Sequence, residues 1–148
     1  MAVREATEAD LPALLVLLRG YCDFYEMSPS DKGLERVALG VIAAPEEEAF
    51  LLVATGDGGA VVGIAVCVWS WSSLHGGRIV NLNDLFVAEG ARGAGHADAL
   101  IEAVAEVARR HGGESVNWLT ATDNRRAQAV YDRVGAKYST FREYELEL

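Results

Sequence analysis

The stretch "LNDLFVAEGARGAGHADALIEAV", residues 82–104, changes character twice. It opens with an apolar run of strand type, passes through a loop containing Gly90, Gly93 and Gly95, and continues with Leu100, Ile101 and Val104 at helical spacing. The loop therefore stands directly in front of a helix N-terminus, where backbone N–H groups lack partners and the helix dipole favours negative charge. Small residues at Gly93, Gly95 and Ala97 let those N–H groups approach an anion closely. A Walker loop would need Lys followed by Ser or Thr after its second glycine, and Gly95 is followed by His96 and Ala97. A dinucleotide fingerprint would begin right after its strand and put Gly or Ala where Asp98 stands. From Arg92 to Ala97 alone, a pyrophosphate cradle and a glycine-rich turn that merely starts a helix are equally good readings.

Outward from that stretch, the periodicity alternates between helix and strand. A short strand near Val3 precedes Thr7, which caps a helix with Leu11, Leu14, Leu15, Leu17 and Leu18 on one broad face. Ser28, Pro29 and Ser30 mark a loop, and Asp31 is placed to cap a second helix through Leu34, Val37 and Val41. "AFLLVATG" (49–56) and "AVVGIAVCVWSW" (60–71) read as a hairpin whose second strand, apolar on both faces, belongs in the centre of a sheet. Beyond the helix that starts near His96, Gly112 and Gly113 stop the chain, "SVNWLTAT" (115–122) reads as a strand and Asn124 to Val134 as a shorter helix. "FREYELEL" (141–148) alternates Glu143, Glu145 and Glu147 with Tyr144, Leu146 and Leu148, a strand pattern. These elements predict one α/β domain over residues 1–148, around a single mixed sheet.

Composition narrows the function. Thirteen basic against 22 acidic residues give a net charge of −9, which repels a phosphate backbone and favours cationic partners or small substrates; nucleic acid is not expected. Cys22 and Cys67 are too few for a disulfide framework, neither has zinc-ligand neighbours, and both read as reduced core thiols. The N-terminal MAVREATEAD lacks the apolar core of a signal peptide and no apolar run is long enough to span a bilayer, so no membrane association is expected and the cytoplasm is the expected compartment.

A second motif lies downstream. "TDNRRAQAVYDRVGA" (122–136) places Asn124 at an N-cap and Tyr131 two turns further along the same helix face. With its preceding strand, RGAGHA together with NRRAQAVYDRVGA resembles the GNAT N-acetyltransferase superfamily, whose loop pattern of Gln or Arg, two variable residues, Gly, one variable, then Gly or Ala is met by Arg92, Gly95 and Ala97. The resemblance covers nearly the whole chain. "REATEAD", "FYE", "LNDLFV" and "DNRRAQAVY" lie nearest the diamine and polyamine acetyltransferases of that superfamily.

The resemblance implies a mostly antiparallel central sheet flanked by about four helices, a homodimer, and an enzyme that moves the acetyl group of acetyl-CoA directly to a primary amine without a metal. Its pyrophosphate would sit on the backbone of Arg92, Gly93, Ala94, Gly95, His96 and Ala97, and its pantetheine arm would pair with Phe86 and Val87. Asn124 would complete the cofactor site. The N–H of Val87 would face the thioester carbonyl, where a fixed donor is worth roughly 10²–10³ in rate. Tyr131 would protonate the departing thiolate; the other reading of Tyr131 is an aromatic packed beside Ala127 and Val134. His96 would project from the loop.

The acceptor is expected to be a small cationic, diamine- or polyamine-like amine. A protein lysine or N-terminal amine is the alternative, and a non-catalytic acyl-CoA sensor or scaffold a reading of another class. At neutral pH only about one alkylamine in 10³ is unprotonated, so something must take its proton. Asp84, a carboxylate in an otherwise apolar strand, is either that base or a strand-end residue bonded to backbone. Polyamine acetyltransferases resemble this chain there but carry a glutamate before the aspartate, where Asn83 stands. By strand parity Asn83 and Asp84 face opposite ways unless a bulge intervenes. Tyr25 and Glu26 match a "YE" in the same subgroup and are carried over as substrate-binding residues.

Overall fold

The computed structural model describes residues 2–148; Met1, the first residue of the expected 1–148 domain, lies outside the described residues. The strands β1 (Ala2–Glu5), β2 (Ala49–Thr55), β3 (Val61–Ser72), β4 (Gly77–Val87) and β5 (Val116–Asn117) form one sheet in chain order. All neighbours are antiparallel except β4 and β5, which run parallel. Helices α1 (Leu11–Phe24) and α2 (Asp31–Ala43) cover one face and α3 (His96–Arg110) the other, with α4 (Arg125–Arg133) beside the open end of β4.

The central place of β3 follows from its two apolar faces. Ile64 and Val66 pack with Leu14, Leu17 and Leu18 of α1, while Ala65, Cys67 and Trp69 pack with Leu100, Val104 and Val107 of α3. A strand buried on both sides gains on the order of 25 cal/mol per Å² of apolar surface from each layer, so the centre is where it is most stable. Helix ends obey local chemistry. The Ser30 hydroxyl accepts from the Gly33 N–H at 3.0 Å and caps α2, so the expected cap at Asp31 moves back one residue. Thr7 precedes a single 3₁₀ turn, Glu8–Asp10, before α1 begins at Leu11.

One irregularity in β4 sets the orientation of every residue near the site. Val66 faces Asp84 and Cys67 faces Leu82, so Asn83 is an extra residue, a β-bulge. Before it, Val80 and Leu82 point at α3; after it, Leu85 and Val87 do, and Phe86 belongs to the α1 side. Without the bulge, Phe86 and Val87 would exchange faces.

Two expected strands are corrected. The strand over 115–122 shrinks to Val116–Asn117, because β4 and β5 part company after Asn81 and Trp118 turns to stack edge-on against Tyr131 at 5.3 Å. The strand over 141–148 is absent: that segment is in neither helix nor ladder, and Tyr144 and Leu146 are 84% and 85% exposed. Its alternation is strand-like, but a β5 of two residues gives it almost no edge to pair with.

Candidate active site

The loop in front of α3 is built for close approach. Gly93 and Gly95 both have φ of +85°, a left-handed conformation that glycine adopts without steric cost. Gly95 is the N-cap of α3 and offers no side-chain oxygen to the first-turn N–H groups, leaving them for an external acceptor. Arg92 turns back onto the strand: its Nε donates to the Val87 carbonyl at 3.0 Å and its guanidinium lies 5.4 Å from the centre of the Phe86 ring. It thereby pins the loop to the end of β4. His96 departs from expectation. Instead of projecting, it is 6% exposed, with Nδ1 buried and unpaired, because as the first residue of α3 it falls on the helix's inward stripe ahead of Leu100.

The free edge of β4 adjoins this loop. Ala88 donates its N–H to the Val62 carbonyl at 2.8 Å, so the N–H of Val87, one residue back, points to the opposite edge. On that edge the ladder to β5 spans only Val80 and Asn81. The end of β4, the loop and α4 thus enclose a cleft of about 620 Å³, lined on the loop side by Phe86, Val87, Arg92, Gly93, Gly95, His96 and Ala97. Ala94 sits at the exposed tip of the loop, outside the lining.

The opposite wall is α4, held in place by a bidentate pair in which Arg133 donates to Asp98 in the first turn of α3 at 2.8 and 2.7 Å. Asn124 caps α4 by accepting from Ala127 N–H at 3.3 Å and also lines the cleft. Two turns on, Tyr131 is partly buried against Trp118 with its hydroxyl beside Thr120. Burial raises its pKa above the ordinary tyrosine value, the neighbouring Tyr25 adds to the rise, and Thr120 opposes it. A phenol in that state keeps its proton until a strong acceptor forms beside it.

At the other end, α1 supplies a cluster of aromatic rings. Its buried stripe of Leu14, Leu17 and Leu18 continues into Tyr21 and Tyr25 at helical spacing. Tyr21 and Phe24 each meet Tyr25 at 5.1 Å between ring centres, and all three line the cleft. The bulge turns Asp84 toward this cluster. Its carboxylate is close enough to raise the pKa values of Tyr21, Cys22 and Tyr25, and burial raises its own pKa, while the neighbouring Tyr21 hydroxyl holds that rise back. Glu26 stands apart: with φ of +56° in the turn after α1 it is exposed and outside the lining.

The structure thus brings the expected cofactor residues, Tyr131 and Tyr25 to one cleft, with Asp84 behind its aromatic wall, and leaves Ala94 and Glu26 at its margin. Tyr21 and Thr120 escape sequence reasoning. Tyr21 stands out only once the bulge is known, and Thr120 only once Trp118 is seen to leave the strand.

Comparison with known proteins agrees with this geometry. Residues 15–136 match the model of the Acetyltransferase (GNAT) family. The chain is 29% identical over 140 residues to the uncharacterized N-acetyltransferase YhfO of Bacillus subtilis (strain 168), covering 95% of this chain and 92% of that protein. It is 32% identical over 142 residues to a thialysine N-epsilon-acetyltransferase of Bos taurus, covering 91% and 83%. The crystal structure of a probable acetyltransferase superposes with a TM-score of 0.85 at 29% identity, over 100% of this chain and 98% of the other. A glycine loop at a helix N-terminus, an open strand edge beside it and a family match over most of the chain converge: this protein belongs to the GNAT acetyltransferase family and is an acetyl-CoA-dependent N-acetyltransferase.

Proposed function

We propose that the enzyme transfers acetyl directly to the primary amine of a small, cationic, diamine- or polyamine-like acceptor bound together with acetyl-CoA. The observation that carries the acceptor class is the partly buried Asp84 carboxylate behind the rings of Tyr21 and Tyr25. Aromatic faces and a carboxylate together attract an alkylammonium, and burial makes each interaction stronger than in water. The bovine relative bears the name of a thialysine N-epsilon-acetyltransferase, which is compatible with that class.

Acetyl-CoA supplies an activated acyl carbon and a thiolate leaving group. In this reading the amides from Arg92 to Ala97, with Asn124, hold its pyrophosphate; the uncapped first turn of α3 and the two left-handed glycines suit that anion. Val87 pairs with its pantetheine arm along the free edge of β4 while Phe86, whose backbone faces β3, lines the cleft, and the N–H of Val87 donates to the carbonyl oxygen as charge develops there. Asp84 takes one proton from the ammonium, the amine nitrogen bonds to the acyl carbon, the carbon–sulfur bond breaks, and the nitrogen releases its second proton to solvent, from which Tyr131 is afterwards reprotonated. Tyr131 gives the sulfur its proton.

The exposed alternating segment 141–148 supports a homodimer in which a second copy covers the tyrosine and leucine faces. The cytoplasm, where two unpaired thiols persist, is the compartment that suits this reading. No helix among the described residues is long and apolar enough to cross a membrane.

The test is thiol release from acetyl-CoA across diamines, polyamines, single amino acids, aminoglycosides and a lysine-rich peptide, repeated with Asp84→Asn. Turnover concentrated on small cationic amines and lost in the variant is the expected result. Turnover on the peptide alone would replace the acceptor class, and an Asp84→Asn enzyme as active as the parent would remove Asp84 from the chemistry.

A further inference from the structure

Tyr21 does more than line the wall. Its hydroxyl donates to the Asn83 carbonyl at 3.1 Å, and the Asp84 carboxylate is within reach of the same hydroxyl. Asn83 is the bulged residue, so Tyr21 reaches across from α1 to the irregularity that turns Asp84 toward the helix. The approach is close by construction. A methyl group at Gly20 would come within 2.9 Å of the Phe86 ring, so only glycine lets α1 lie near enough to β4 for Tyr21 to make this contact.

We infer that Tyr21 is a positioning residue for the acceptor's proton transfer: its hydroxyl, bonded to the Asn83 carbonyl, holds the bulge and through it Asp84 in the orientation from which the carboxylate meets the incoming ammonium. The inference rests on the assignment of Asp84 as proton acceptor. The surroundings leave no substitute for the hydroxyl. From α1 the titratable groups near Asp84 are Tyr21, Cys22 and Tyr25, and from β3 Cys67. Each has its pKa raised above an already basic ordinary value, with burial as the largest cause, so all four are uncharged at neutral pH and none brings a positive charge to the carboxylate. Of these groups only the Tyr21 hydroxyl favours the ionised form.

The role has a signature in pH. A base works only when deprotonated, so the acidic limb of kcat/KM for the amine follows the pKa of Asp84. The Tyr21 hydroxyl can turn its one proton from the Asn83 carbonyl to the carboxylate when that is charged, which lowers the Asp84 pKa; without the hydroxyl the value rises and the limb moves to higher pH. A hydrogen bond to a charged group is large enough to move the limb by about one pH unit.

The experiment compares kcat/KM against pH for the parent, Tyr21→Phe and Asp84→Asn, using the best amine from the acceptor panel, with CoA affinity and melting temperature measured alongside. Tyr21→Phe keeps the ring that meets Tyr25 and Phe86 and removes only the donor. The expected result is an acid limb displaced upward by about one unit, up to about tenfold lower kcat/KM below the limb, recovery at high pH and unchanged CoA affinity. A rate lowered equally at every pH, with a lower melting temperature, would mean that Tyr21 is only structural and would overturn the inference. A limb unmoved in Tyr21→Phe but abolished in Asp84→Asn would overturn it while leaving Asp84 as the base. A limb that survives in Asp84→Asn would remove the base assignment and the inference with it.

Discussion

Replacing Gly20 and Gly40 with alanine, one at a time, should move stability in opposite directions. Both lie inside helices, where alanine is favoured over glycine by about 1 kcal/mol through the entropy of the unfolded chain and helix propensity. At Gly40 the new methyl meets nothing within 4 Å, so the full gain should appear. At Gly20 the methyl would stand 2.9 Å from Cε2 and 3.0 Å from Cζ of Phe86. That ring has little room to retreat, with the Arg92 guanidinium 5.4 Å from its centre and the Tyr21 ring edge-on at 6.4 Å. Overpacking of this kind costs about 2 kcal/mol, so the net change at Gly20 is a loss of about 1 kcal/mol. For a domain of this size that separates the two variants by about 6 °C, roughly 3 °C above and 3 °C below the parent. Thermal and urea unfolding measure the pair, and the acceptor KM adds a second readout: it should rise in Gly20→Ala as α1 is pushed from β4, with CoA affinity unchanged. Equal stabilisation of both variants would show that the contact between α1 and Phe86 is not close and would refute the reasoning.

Two other substitutions test separate parts of the structure. Tyr131→Phe should lower kcat by about 10²-fold or more through loss of the proton donor, with CoA affinity within a factor of two of the parent; stopped-flow thiol release and a binding titration measure the two. Arg4→Ala should destabilise the protein at pH 7 and have only a small residual effect at pH 2. Arg4 makes a bidentate contact with Asp10 at 2.8 and 2.9 Å and holds that carboxyl at about 2, below its ordinary 3.8. A carboxyl with a lowered pKa stabilises the fold above its unfolded value and loses that contribution as pH falls through the folded one, so the window runs from about pH 4 down to about pH 2. Because the Arg4 side chain is 46% exposed, solvent screening reduces the effect to about 1 kcal/mol. Urea midpoints at the two pH values check it.

Much of the loop side of the cleft was legible in the sequence because it depends on local chemistry. Gly93 and Gly95 announce left-handed backbone, Asn124 announces a cap, and Leu100, Ile101 and Val104 announce a buried stripe, each within a few residues of where it acts. The aromatic side of the cleft was less legible because it depends on a defect in strand pairing. The alternation along β4 could be read, but the extra residue at Asn83 is fixed by β3 across the sheet, and no local signal shows that Asp84 then faces Tyr21. The end of the chain fails for a related reason. The alternation of Glu143, Tyr144, Glu145 and Leu146 describes a strand, yet a strand also needs a partner edge, and β5 ends at Asn117. His96 shows the limit of reading a loop residue by residue: its burial comes from the helix that begins with it.

The parting of β4 from β5 places an unsatisfied edge inside a sheet, where most proteins tolerate one only at the margin. Such an edge is a mould for a chain carrying amide groups of its own, and an extended ligand laid along it completes the sheet as an added strand would. Occupancy would then join the two halves of the sheet at the same moment as it fills the cleft. Ligand binding and the completion of the sheet are in this respect one event.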